Sequence, residues 1–235
     1  MSLPILAFAT PLFGLSLGLE PANVLPAPTA YPAAAAYVLD APLVSQGARL
    51  NRETIPKRSE FSRKLRRRVK LTKLHRPLGI ATWAAMTATV LAGFIQYYNL
   101  YGLFADQGSN PCVKGSAIFG QSQCSGAPWI HRIGGVTTGL LYSATFTVAL
   151  MMPDPDDSAS GDSKFARTLR AHKTLRWVHL AGMVMQLTLG LVVANGMFGL
   201  DRANDYGKLR TLATIHMGTG LATWGALSWA GALML

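Results

Sequence analysis

The stretch "LHRPLGIATWAAMTATVLAGFIQYY" fills residues 74–98. Its only charged residue is Arg76, in the first turn. A mostly apolar run of about 20 residues is the length of a helix that crosses a bilayer. Three further runs of this kind follow, at residues 129–152, 177–200 and 212–235. Gly, Ala, Ser and Thr recur in all four, and small residues let helices in lipid approach closely. No stretch alternates with period two, as the strands of a transmembrane barrel do. The pattern predicts an all-α membrane protein whose residues 74–235 form a four-transmembrane-helix bundle.

Composition agrees with that reading. Charged residues make up 14% of the 235 and hydrophobic ones 50%, whereas an average soluble domain is about 25% charged. The net charge of +11 does not indicate nucleic acid, because no groove-reading motif and no basic–aromatic interleave accompanies it. The basic residues instead flank the apolar runs. "KRSEFSRKLRRRVKLTKLHR", residues 57–76, holds ten Lys and Arg. The loop between the second and third runs adds Lys164, Arg167, Arg170, Lys173 and Arg176, and the two opposite loops hold Lys114, Arg132, Arg202, Lys208 and Arg210. The bias predicts a multi-pass protein of a bacterial inner membrane or thylakoid-like membrane, with the basic stretch and the C-terminus on the cytoplasmic side.

Ahead of the bundle the chain reads as two pieces. Residues 1–48 comprise a short apolar segment, "LPILAFATPLFGLSLGL", and a Pro/Ala-rich linker. "APTA" at residues 27–30 resembles a cleavage site, but no Lys or Arg precedes the apolar run, which favours a retained segment. Residues 49–73 read as a basic amphipathic interfacial helix, with Phe61, Leu65 and Val69 recurring among Arg and Lys. Cys112 and Cys124 share one extracytoplasmic loop, the oxidising side, which predicts a disulfide between them, two free thiols being the alternative.

The candidate chemistry lies in the histidines. His75, His131, His179 and His216 each stand near the start of a different run. Consecutive spans run in opposite directions, so His75 and His179 fall at the cytoplasmic level and His131 and His216 at the other. Two neutral imidazoles facing one another across a bundle suit a planar metal porphyrin. Residues at i and i+4 share a helix face, so Gly79, Gly135 and Gly220 leave clearance for a ring beside His75, His131 and His216. Gly182 stands at i+3 from His179. Arg76 and Arg132 are candidate partners for porphyrin carboxylates. His172, seven residues before His179 and set among Arg170, Lys173 and Arg176, reads as solvated, as a propionate contact or as a proton relay. Structural zinc wants four ligands in one place, which this split arrangement does not offer.

At these residues, and in the contexts "LHRPLG" and "WIHRIGG", the chain resembles the cytochrome b-561 superfamily across residues 65–235. The resemblance implies two haems b, held by His75 with His179 and by His131 with His216, passing electrons across the membrane. It implies membrane lipid around the bundle, with a quinol, an ascorbate-like reductant or a redox protein as donor or acceptor. Other membrane subunits or a second copy are further candidate partners. The competing readings are an accessory subunit of a respiratory or photosynthetic complex, with or without haem, and a transporter using His as proton relays.

Overall fold

The computed structural model describes residues 54–125, 128–195 and 197–234. The expectations for the apolar segment and linker of residues 1–48 lie outside these. The described residues are helical, with no strand among them. Four long helices, α1 (Thr54–Tyr101), α3 (Trp129–Leu150), α4 (Lys164–Asn195) and α5 (Tyr206–Ala232), are joined by loops. The first loop contains the single-turn helix α2 (Pro111–Lys114).

Among the described residues, the segments Arg58–Tyr101, Trp129–Leu150 and Lys164–Ala194 are long and apolar enough to cross a membrane. Helix α5 is long as well, at 27 residues, but its Gly, Thr and Ser content lowers its hydropathy, and it is not one of the three. The outward faces carry large apolar side chains such as Ile80, Leu91, Val136, Leu140, Val184 and Leu187, all exposed. Apolar surface on that scale needs a non-aqueous neighbour.

The bundle is arranged around two hairpins. α1 packs along α3, α4 packs along α5, and α1 also lies against α5. α3 meets α4 through side chains: Phe146 stands edge-on to Trp177, and Tyr142 bonds His179. Thus α1 and α4 are diagonal to one another, as are α3 and α5. Met86, Tyr142 and Met183 form a buried cluster at mid-length. Tyr97, Tyr101, Leu209 and Ala213 form another near the α1–α3 loop.

Helix α1 runs unbroken from the basic stretch into the apolar one, across Pro77. The proline removes one main-chain donor without ending the helix, as membrane helices tolerate. Asp154, in the α3–α4 loop, holds the basic part alongside the bundle: it pairs with Arg68 of α1 and, at 2.8 Å, with Lys173 of α4.

The opposite end is closed by its loops. Cys112 and Cys124 form a disulfide. The loop it staples is clamped to α1 by Asn99, which exchanges two hydrogen bonds with Ile118 at 2.8 and 3.0 Å. Gln96 donates to the Gln123 carbonyl at 3.0 Å.

Two imidazole pairs as the candidate functional site

Helix α1 carries His75 and α4 carries His172, and the two rings stand at right angles to one another with centroids 6.4 Å apart. Helix α3 carries His131 and α5 carries His216, with centroids 6.0 Å apart. Both pairs join diagonal helices. His172 therefore stands opposite His75 in the place expected of His179. His179 lies two turns further along α4, 7% exposed, with its Nδ1 2.8 Å from the Tyr142 hydroxyl.

Three of the four paired rings are oriented by a main-chain carbonyl. His75 Nδ1 lies 3.3 Å from Thr145 O, His131 Nδ1 lies 3.1 Å from Thr89 O, and His172 Nδ1 lies 2.9 Å from Ala230 O. A carbonyl only accepts, so each Nδ1 carries the proton and each Nε2 keeps its lone pair in the neutral ring. This is the arrangement that metal-binding imidazoles use. His216 Nδ1 is buried and has no partner among the described residues.

These contacts obey a quasi-two-fold rule that relates hairpin α1–α3 to hairpin α4–α5. Thr145 lies fourteen residues after His131, and Ala230 lies fourteen after His216. Gly93 and Gly190 lie eighteen residues after His75 and His172. A Cβ on Gly93 would stand 3.0 Å from His131 Cε1, and one on Gly190 would stand 3.4 Å from His216 Cε1. Met86 and Met183, each eleven residues beyond its histidine, meet in the mid-length cluster. Thr138 and Thr223, seven residues beyond His131 and His216, are both buried. The rule pairs His75 with His172 and pairs Thr82, not a ligand, with His179. It assigns His216 Nδ1 the Gln186 carbonyl as acceptor. The Gln186 side chain instead donates to His216 O at 2.9 Å and to Thr219 Oγ1 at 2.5 Å.

The four glycines singled out in the sequence divide into two kinds. Nothing lies within 4 Å of a Cβ placed on Gly79 or Gly135. Gly182 and Gly220 serve close helix packing instead. A Cβ on Gly182 would meet Thr223 Oγ1 at 2.2 Å, and one on Gly220 would meet Gln186 Oε1 at 3.1 Å. Arg76 and Arg132 are exposed, and their side chains make no hydrogen bond or ion pair among the described residues. Sequence reasoning missed Gly93 and Gly190, whose signal was their common distance from His75 and His172.

The two levels are about 27 Å apart, from eighteen residues at the α-helical rise. At the disulfide end a small cavity beside His131 is lined by Gln96, Asn99 and Gln123, and Gln123 Nε2 is buried there without a partner. Among the described residues no three His, Cys, Asp or Glu side chains converge on a metal position. Each pair by itself thus offers a metal two nitrogen ligands. No protein-family model, curated protein or solved structure matches this chain.

Proposed function

We propose that this chain is a membrane electron carrier of the cytochrome b-561 type. In this reading all four long helices span the bilayer, and each imidazole pair ligates one haem b. The observation that carries it is the spacing of the pairs. Two metal–nitrogen bonds of about 2 Å each, with the distance from ring centre to nitrogen added on both sides, come to about 6 Å. The pairs stand at 6.4 and 6.0 Å. A porphyrin supplies four further ligands, which suits two-ligand sites better than zinc does. The open space beside Gly79 and Gly135, one turn from His75 and His131, fits the edge of a flat ring.

When bound, the haem iron would supply one-electron chemistry by cycling between ferric and ferrous states. The chain's own residues do the rest. Thr145, Ala230 and Thr89 hold three imidazoles by Nδ1, so that Nε2 is presented to the metal. Gly93 and Gly190 let His131 and His216 lie flat against neighbouring helices. Met86, Tyr142 and Met183 fill the space between the levels and exclude water. A site near each face makes a two-step route across the hydrocarbon. By the charge bias of the loops, the His75–His172 level is the cytoplasmic one.

A pyridine haemochrome assay on purified protein, with protein quantified, tests the reading. The expected result is two haems b per chain and a low-spin spectrum. The absence of a Soret band from protein expressed with ample haem would remove it in favour of an accessory or proton-relay role.

A further inference from the structure

Besides Gln186, the quasi-two-fold rule has a cluster of exceptions near the His75–His172 level. Four residues beyond His75 is Gly79, while four beyond His172 is Arg176. Seven beyond His75 is Thr82, while seven beyond His172 is His179. Eleven beyond His216 is Leu227, while eleven beyond His131 is Tyr142. Arg176, His179 and Tyr142 therefore have no counterparts at the equivalent positions, and they occur together where α3 meets α4. Tyr142 OH and His179 Nδ1 are 2.8 Å apart. Arg176 is close enough to act electrostatically on both.

Arg176 has no carboxylate partner among the described residues. Its Nε is buried without a hydrogen bond, and its guanidinium lies 4.9 Å from the Trp177 ring centre. A guanidinium at membrane depth is costly without a counter-charge, and such residues mark functional sites. The matching position on the diagonal helix is Gly79, beside which space is open. A planar cation with free donors, a hydroxyl and an imidazole together make a receptor for a carboxylate.

We propose that Arg176, His179 and Tyr142 form a carboxylate-binding site one turn from the His75–His172 pair. The carboxylate is either a propionate of the porphyrin on that pair, which rests on the function proposed above, or a free small carboxylate. Arg176 is then a positioning residue for the bound group, and His179 is a hydrogen-bonding residue rather than an iron ligand.

The test crosses a protein variant with a ligand variant. Haemin and its dimethyl ester, whose propionates are masked, are titrated into full-length apo-protein and into its Arg176→Gln and Arg176→Lys variants. A charge-assisted hydrogen bond predicts that esterification weakens binding at the His75–His172 pair by about tenfold or more in the unaltered protein. In Arg176→Gln the loss should shrink severalfold, with Arg176→Lys between, and binding at the His131–His216 pair should show no such coupling. In parallel, succinate is titrated and read by the tryptophan fluorescence that a Trp177→Phe variant removes, which needs no haem. A response present in the unaltered protein and absent in Arg176→Gln, with esterification effects merely additive, assigns the site to a free carboxylate. Additive effects with no succinate response overturn the proposal while leaving the haem reading intact. Failure to take up either porphyrin overturns the haem reading itself, and the site then stands or falls on the succinate titration alone.

Discussion

Thr145 on α3 and Ala230 on α5 perform the same task in the two hairpins: each gives its main-chain carbonyl to an imidazole of the neighbouring helix. Thr145 lies inside α3, so its carbonyl uses a second lone pair for this bond, whereas Ala230 lies in the last turn of α5, where helix carbonyls lack an intrahelical partner. That the use recurs at the same count from His131 and from His216 makes His75 and His172 equivalent. On the function proposed above, the equivalence makes His172 rather than His179 the candidate ligand on α4.

The first prediction follows from that equivalence. His75→Ala and His172→Ala should abolish low-spin ligation at one haem, and His131→Ala and His216→Ala at the other. His179→Ala should keep both low-spin signals and change only the environment of the first. Electron paramagnetic resonance separates the cases. Loss of a low-spin signal in His179→Ala, with His172→Ala unaffected, would return the ligand role to His179.

Why the sequence reading preferred His179 has a physical reason. His172 and His179 are seven residues apart, nearly two turns, so they share a face and periodicity cannot choose between them. The basic neighbours of His172 suggested water. The choice is tertiary: it depends on the register of α4 against α1 and α5. The features that local chemistry does specify were legible. Charge-depleted runs marked the helices, although α5 owes its place to packing rather than to hydropathy. The disulfide was legible too, from two cysteines twelve residues apart in one extracytoplasmic loop. The place of the basic half of α1 beside the bundle was not legible, because the tie from Arg68 to Asp154 that holds it joins residues eighty-six apart.

Glycine substitutions should separate clearance from packing. Gly182→Ala drives a methyl into Thr223 and should destabilise the bundle by about 1–3 kcal/mol, the usual cost of overpacking. Gly79→Ala enters open space and should be neutral or stabilising by up to about 1 kcal/mol on helix propensity. Gly79→Leu should fold but lower haem occupancy at the His75–His172 pair alone. Thermal unfolding of each variant, with and without haem, gives the comparison. Equal destabilisation by Gly79→Ala and Gly182→Ala would show that Gly79 too is a packing glycine.

The disulfide should matter more to one haem than to the other. Cys124 adjoins Gln123, which lines the cavity beside His131. Cross-linking over this short loop constrains the unfolded chain by about 3 kcal/mol or less. Cys124→Ser should lower thermal stability within that bound and broaden the spectrum of the His131–His216 haem, while the His75–His172 haem is unchanged. Mass spectrometry of unreduced protein should find neither thiol alkylated. Alkylation of both, or an equal effect on both haems, would contradict the arrangement.

The last prediction concerns pH and Asp154. Partial burial pushes this carboxyl up, but hydrogen bonds from Lys173, from the Ser158 amide and hydroxyl and from Arg68 outweigh it and hold the group well below the usual carboxylate range. A carboxyl depressed in the folded state stabilises the fold above its unfolded pKa of about 3.9 and loses that contribution as pH falls through the folded value. The contribution is therefore complete at neutral pH and diminishes as pH falls below about 5. Asp154→Asn should lower the thermal midpoint at pH 7, and the gap to the unaltered protein should narrow as pH drops from about 5 to 3. The effect should also reach the cofactor level. Arg68 stands two turns before His75, and Lys173 directly follows His172, so releasing both loosens the two helices that carry one imidazole pair. In Asp154→Asn the haem on that pair should be lost first on heating, before the one on His131 and His216. A gap in thermal midpoint that stays constant from pH 7 to 3 would mean that Asp154 acts by shape and not by charge.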